Sequence, residues 1–177
     1  MMRNPTDLAF IDTNVLVYAQ QRKSARHQTA KSLRDRALNG VIAACVSPQV
    51  LSEFFVTITR TDKRAIEEPL SPEEAVDELR RYCESDQLTL IHPGPRIMER
   101  TFWLLARYPV QGLRFHDVRH VATMLENNVT RIYTFNTPHF SQFAEIEVLD
   151  PSELAVTEPA PEEEPEGQDK DNGQPPP

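Results

Sequence analysis

The sequence predicts an α/β fold: a mostly parallel sheet of four to five strands, covered by helices on both faces. Three observations carry that expectation. Short apolar runs recur at residues 8–11, 41–46, 88–91, 131–134 and 146–149. The stretches between them are longer and place apolar residues at helical spacing. Several open with helix-start chemistry, as at Ser47-Pro48 and Ser71-Pro72-Glu73-Glu74. Strands alternating with helices pair in parallel, because a crossover helix returns the chain to the end of the sheet where the previous strand began. In such sheets ligands gather at the carboxyl ends of the strands, near the point where strand order reverses.

The elements follow in order. Leu8-Ala9-Phe10-Ile11 reads as a buried strand ending at Asp12, with a short helix from Asn14 to Gln20 above it. Ser24 to Asn39 is a longer helix, closed by Gly40 in the position where a left-handed backbone is wanted. Val41 to Val46 is the second strand. Ser47 then caps a helix with Pro48 at its first position. That helix reaches about Thr61, with Leu51, Phe54, Phe55 and Ile58 on one face. Asp62 to Leu70 is charged and reads as a loop. Ser71 and Glu74 form a capping box. Leu88 to Ile91 is the third strand, Pro95 to Arg107 a helix, and His116 to Asn127 a helix with Val118, Val121, Ala122 and Leu125 as its buried stripe. Arg131 to Thr134 is the fourth strand. Ile146 to Leu149 is an edge strand stopped by Pro151.

The 177 residues carry a formal charge of -8. Residues 158–177 hold seven acids against one lysine, six of the fifteen prolines, and no aromatic, Val, Ile, Leu or Met. Such a segment cannot bury enough apolar surface to offset the entropy of ordering, so it reads as a disordered acidic, proline-rich tail. Without it, residues 1–157 are near neutral and form one domain, compatible with a nucleic-acid partner. No apolar stretch approaches the roughly 20 residues of a membrane span, and the N-terminus lacks an apolar signal core. Cys45 and Cys83 match no metal or redox spacing, so reduced thiols and a cytoplasmic setting are the expectation.

Four side chains stand where chemistry is expected. Asp12 ends the first strand; taken alone it is equally a helix cap. Glu53 lies off the apolar stripe of its helix, as a solvated surface acid or as the lining of a cleft shared with Asp12. Asp117 opens a helix, where the helix dipole alone favours an acid. Asn136 follows the fourth strand in Thr134-Phe135-Asn136, a turn-like setting. Together they place three acids and an amide at strand exits and helix starts. Carboxylates gathered in one cleft repel and raise one another's pKa. A divalent cation relieves that repulsion, and an oxygen-only donor set suits Mg²⁺ or Mn²⁺. The chain contains no HExxH, GxxxxGK[ST] or GxGxxG. Carboxylate-held Mg²⁺ commonly serves phosphate chemistry. Arginines near these positions, Arg22, Arg26, Arg114 and Arg119 among them, are suited to a polyanion.

In this order the motifs resemble the PIN domain family, and within it the toxin ribonucleases of VapBC-type toxin–antitoxin pairs. The resemblance runs through Phe10-Ile11-Asp12-Thr13-Asn14, Pro48 to Phe55 around Glu53, His116 to Met124 around Asp117, and Ile132-Tyr133-Thr134-Phe135-Asn136. It implies a three-layer α/β/α sandwich and Mg²⁺- or Mn²⁺-dependent cleavage of RNA to 5′-phosphate and 3′-hydroxyl ends. Asp12, Glu53 and Asp117 would be metal ligands, Asn136 a further catalytic residue, and Asn14, Thr134 and Arg114 would position water or substrate. It raises an antitoxin protein and a homodimer as partners, and no membrane. The chain departs from the family at Asn136, where many members have a fourth acid, and at His139, where an Asp is common.

Two other readings are compatible with the same residues. One is the same fold kept as a non-catalytic RNA- or protein-binding module. The other is a phosphatase of the haloacid dehalogenase type, which needs an acid two residues after Asp12, where this chain has Asn14.

Overall fold

In a computed structural model of the chain, residues 8–62 and 65–154 are described. The tail expected at 158–177 lies outside them. Five strands of three residues each form one sheet: β1 Ala9–Ile11, β2 Ala44–Val46, β3 Leu88–Leu90, β4 Arg131–Tyr133 and β5 Glu147–Leu149. Their order is β3-β2-β1-β4-β5. All four neighbouring pairs are parallel, with Phe10 beside Cys45 on one side and Ile132 on the other.

Every residue of β1 and β2 is buried. A strand without a solvent face needs helices on both sides, which is why these runs read as continuously apolar rather than alternating. The edge strand β3 alternates, with Leu88 buried and Thr89 exposed. The long helices are α1 Thr13–Gln20, α2 His27–Leu38, α3 Pro48–Thr59, α4 Pro72–Cys83, α5 Ile97–Arg107 and α6 Arg114–Glu126; α7 Thr137–Phe140 and α8 Pro151–Leu154 are single turns. Helix α1 packs on α2 and α3, and α3 on α4, while α5 packs on α6. The core between these layers includes Phe10, Leu16, Phe54, Leu104 and Ile132, each no more than 1% exposed. Tyr82 of α4 meets the Phe54 ring edge-on at 5.6 Å.

Local chemistry sets the helix ends. The Ser47 hydroxyl accepts from the Val50 N–H, and Pro48 holds the first position of α3. The capping box at Ser71 and Glu74 is formed in both directions. At the end of α2, Gly40 takes a φ of 71°. The Gly40 and Val41 N–H groups then donate to the carbonyls of Ala37 and Arg36, the paired closure that a left-handed residue permits. Asn128 does the same for α6, at a φ of 58°. Some boundaries differ from expectation. Helix α2 begins at His27, because Ser24 instead closes a separate turn in which its carbonyl accepts from the His27 N–H. Pro151 does follow the last strand, but as the first residue of α8.

Cys45 and Cys83 are free thiols. Burial pushes the Cys45 thiol up to about 12, which removes it as a nucleophile. No helix among the described residues is long and apolar enough to cross a membrane.

The strand order positions the site. From β1 the chain moves outward through β2 and β3, then returns to place β4 on the other flank of β1. The order reverses between β1 and β4, so a crevice opens at their carboxyl ends. Asp12 directly follows β1, and Thr134 directly follows β4.

Candidate functional site

Asp12 is 7% exposed. It occupies the cap position of α1, yet its side chain makes no capping bond. The carboxylate instead reaches across the strand reversal: Oδ2 accepts from the Thr134 hydroxyl at 2.7 Å and from the Asn14 amide at 2.6 Å. Asn14 also donates to Thr134 Oγ1 and accepts from the Phe135 N–H at 3.1 Å. One side chain thus uses its N–H and C=O ends together, which an ionised carboxylate in that place, an acceptor only, would not reproduce. Burial lifts the Asp12 carboxyl above its ordinary value, the charge of Asp117 adds to the rise, and His120 and Thr134 oppose it.

Asp117 sits in the first turn of α6. Its Oδ2 accepts from Arg114 Nε at 2.8 Å and lies 3.1 Å from His139 Nδ1. Arg114 also donates to the His139 carbonyl at 2.9 Å. Arg114 therefore ties the start of α6 to α7.

Glu53 projects from α3 and is held from several sides. Thr13 donates to Oε2 at 2.8 Å, and His120 Nε2 stands 3.1 Å from the same oxygen. Gln49 donates to Oε1 at 2.8 Å. Burial alone would raise this carboxyl, but the His120 hydrogen bond and charge, helped by Gln49 and Thr13, bring it down to about 2. His120 itself is 2% exposed and packs against the Phe10 ring at 5.6 Å.

Asp12, Asn14, Asp117, Asn136 and Arg114 line one open cleft of about 660 Å³, with Tyr18 at its side. Glu53 is not in that lining; the Thr13 hydroxyl, one residue from Asp12, connects it to the cleft. The Asn136 N–H donates to Thr134 Oγ1, and its side chain does not cap α7.

A sequence model of the PIN domain matches residues 9–146. The chain belongs to the PIN domain family. Among its relatives, Ribonuclease VapC24 of Mycobacterium tuberculosis is 29% identical over 143 residues, spanning 80% of this chain and 94% of the relative. The solved structure of M. tuberculosis VapC20, described as a Sarcin-Ricin loop cleaving toxin, superposes with a TM-score of 0.57 at 20% identity, over 78% of this chain and 98% of that one. DNA-bound VapBC from Salmonella typhimurium superposes with a TM-score of 0.56 at 18% identity, over 81% of this chain and 98% of that one. These structures share the fold.

Within this PIN domain the donor set is compatible with a hard divalent cation. Asp12, Asp117 and Asn136 offer oxygen to one cleft. Among the described residues the side-chain donors to Asp12, Asn14 and Thr134, both fall on Oδ2, and the Thr13 backbone N–H also engages the carboxylate. Mg²⁺ is ordinarily bound by one or two carboxylates and completed by water and substrate phosphate. Among the described residues no three Asp, Glu, His or Cys side chains are grouped closely enough to cage an ion by themselves. Arg114 and His139 engage Asp117, and Thr13, Gln49 and His120 engage Glu53. In this arrangement internal donors and cations offset the carboxylate repulsion.

Sequence reasoning passed over Gln49, His120 and His139 as partners of the acids. Two of these carry a local signal. Gln49 is four residues before Glu53, and His120 three after Asp117, both spacings that share a helix face. That His120 turns to Glu53 rather than to Asp117 depends on how α3 and α6 meet.

Proposed function

We propose that this PIN domain is a metal-dependent endoribonuclease and the toxin of a toxin–antitoxin pair, with Mg²⁺ or Mn²⁺ as its cofactor. One observation carries the reading: a buried, fixed Asp12 and the Asp117 carboxylate line the same cleft at the strand reversal. The ribonuclease names of the relatives and a toxin–antitoxin complex from Klebsiella pneumoniae among the structural neighbours support it.

Asp12 and Asp117 would hold the ion, with Glu53 acting from behind through Thr13. When bound, such an ion lowers the pKa of a coordinated water and offsets charge developing on a phosphodiester. The chain's own residues supply the geometry. Thr134 and Asn14 lock the Asp12 rotamer, so no reorganisation is needed when substrate arrives. Arg114 and His139 hold Asp117 by Oδ2. The Asn136 amide lines the cleft and can accept from or donate to a water placed there without adding charge. A cognate antitoxin would cover this cleft, and a cationic side chain from it would compete for the two carboxylates.

The test is RNA digestion by the full chain with Mn²⁺, with EDTA, and by Asp117→Asn. Cleavage only for the native chain with metal is the expected result. Native-rate cleavage by Asp117→Asn overturns the assignment. The ion pair between Asp117 and Arg114 favours a second reading, a non-catalytic RNA-binding module. RNA binding without metal-dependent cleavage would select it.

A further inference from the structure

Arg26 differs from the other arginines around the cleft. It lies between α1 and α2 and is exposed. Its guanidinium carbon stands 5.1 Å from the Tyr18 ring centroid and 5.2 Å from that of Phe135. Arg26 Nη1 donates to the Tyr18 hydroxyl at 2.9 Å. Tyr18 and Phe135 meet edge to face at 5.4 Å. Phe135 belongs to the loop after β4 whose N–H is bound by Asn14, and Tyr18 lines the cleft with Asp12 and Asp117. Two neighbouring cations are already committed: Lys23 pairs with Glu67 at 2.7 Å, and Arg114 with Asp117 at 2.8 Å. Among the described residues no acid pairs with Arg26. An exposed arginine held by two rings and a hydroxyl has lost much of its rotamer freedom without losing its charge.

We infer that Arg26 and Tyr18 form the docking point for the nucleotide next to the cleaved bond, Arg26 taking its phosphate and Tyr18 stacking on its base. This rests on the nuclease reading above. Thr13 and Tyr18 are five residues apart on α1, roughly 8 Å along the axis, so the pair lies alongside the Asp12 position and does not overlap it. Single-stranded RNA is held by this combination of a cation on the backbone and an aromatic face for the base. Through Tyr18, Arg26 adds a fixed positive point beside a cleft whose lining holds Asp12, Asp117 and an Arg114 already paired with Asp117.

The experiment separates this inference from the nuclease reading. The full chain carrying Asp12→Asn is titrated into a short fluorescein-labelled single-stranded RNA across a KCl series, alone and combined with Arg26→Ala, Arg26→Lys, Tyr18→Ala or Tyr18→Phe. Arg26→Ala should weaken binding about tenfold and flatten the log affinity against log salt slope by about 0.7, the value of one single-strand phosphate. Arg26→Lys should restore the slope with part of the affinity. Tyr18→Ala should weaken binding about tenfold with the slope unchanged. Tyr18→Phe, which keeps the ring and the packing, should fall between. Arg80→Ala, on α4 and paired with Asp77, controls for net charge and should leave the slope unchanged. In the native background, Arg26→Ala should raise KM far more than it lowers kcat.

Native-like affinity and slope in both the Arg26→Ala and Tyr18→Ala chains overturn the docking point, as does Arg26→Ala behaving like Arg80→Ala. A chain that cuts RNA with an unchanged KM in Arg26→Ala refutes this inference and leaves the nuclease reading standing. A chain that shows these binding losses but never cuts with Mn²⁺ refutes the nuclease reading alone. Absence of both binding and cleavage refutes both.

Discussion

Asp12 and Glu53 respond to the fold in opposite directions. Burial raises the Asp12 carboxyl, so folding favours its protonated form. That contribution is full below the ordinary value of 3.8 and is lost as pH rises through the folded value. Asp12→Asn, which removes the buried charge, should therefore melt at or above the native chain at pH 7 in EDTA. The gap should close toward pH 3.8, measured by circular dichroism melts; a strongly destabilised Asp12→Asn would contradict the account. Glu53 is lowered from 4.5 to about 2, so its contribution is present above 4.5 and is lost as pH falls toward 2. Glu53→Gln should cost on the order of 2–3 kcal/mol at pH 7 and little near pH 2. An equal cost at both pH values would exclude the charge of Glu53 as the cause. Thr134→Val should leave the Asp12 carboxylate short of one donor, costing about 1–3 kcal/mol. It should also lower RNA cleavage by slackening the rotamer of Asp12.

At the scale of elements, the site depends on where α1, α3 and α6 begin. Ser47 is 1% exposed and its hydroxyl fixes the first turn of the helix that carries Glu53. Ser47→Ala should cost about 1 kcal/mol, a melting shift of about 3 °C for a chain of this size. An unchanged melting temperature would place the helix start under packing control alone. Such starts were readable because capping is local chemistry: Ser47-Pro48 and Ser71 to Glu74 form as their residue types require. The left-handed closure at Gly40 was readable for the same reason. Boundaries without a cap were less so. The start of α2 was misread because Ser24 makes a turn of its own. The places of Asp12 at a strand exit and of Asp117 in a first helical turn could be read, but the partners of the acids could not. His120 meets Glu53 across 67 residues of sequence, and His139 meets Asp117 across 22. Those contacts depend on how helices pack, which no local spacing encodes. The same packing explains why Glu53 lies beside the cleft lining and not within it.

Over the whole molecule, the strand order is the device that makes a site. It brings residue 12 and residue 134 into hydrogen-bond contact and sets the start of α6 beside them. Charge acts at this scale too. Residues 158–177 carry six of the eight net negative charges. Ending the chain at Thr157 should strengthen RNA affinity at low salt and leave it unchanged at high salt, where the Debye length contracts to about 3 Å near 1 M. Equal affinities at both salt concentrations would remove the tail from RNA binding. Above all, the proposed nuclease needs one ion shared across the reversal point by Asp12 and Asp117. Titration of Mn²⁺ followed by electron paramagnetic resonance tests this directly on the full chain. One tight site per chain, abolished in both Asp12→Asn and Asp117→Asn, is the expected result; a tight site that survives either substitution would contradict it.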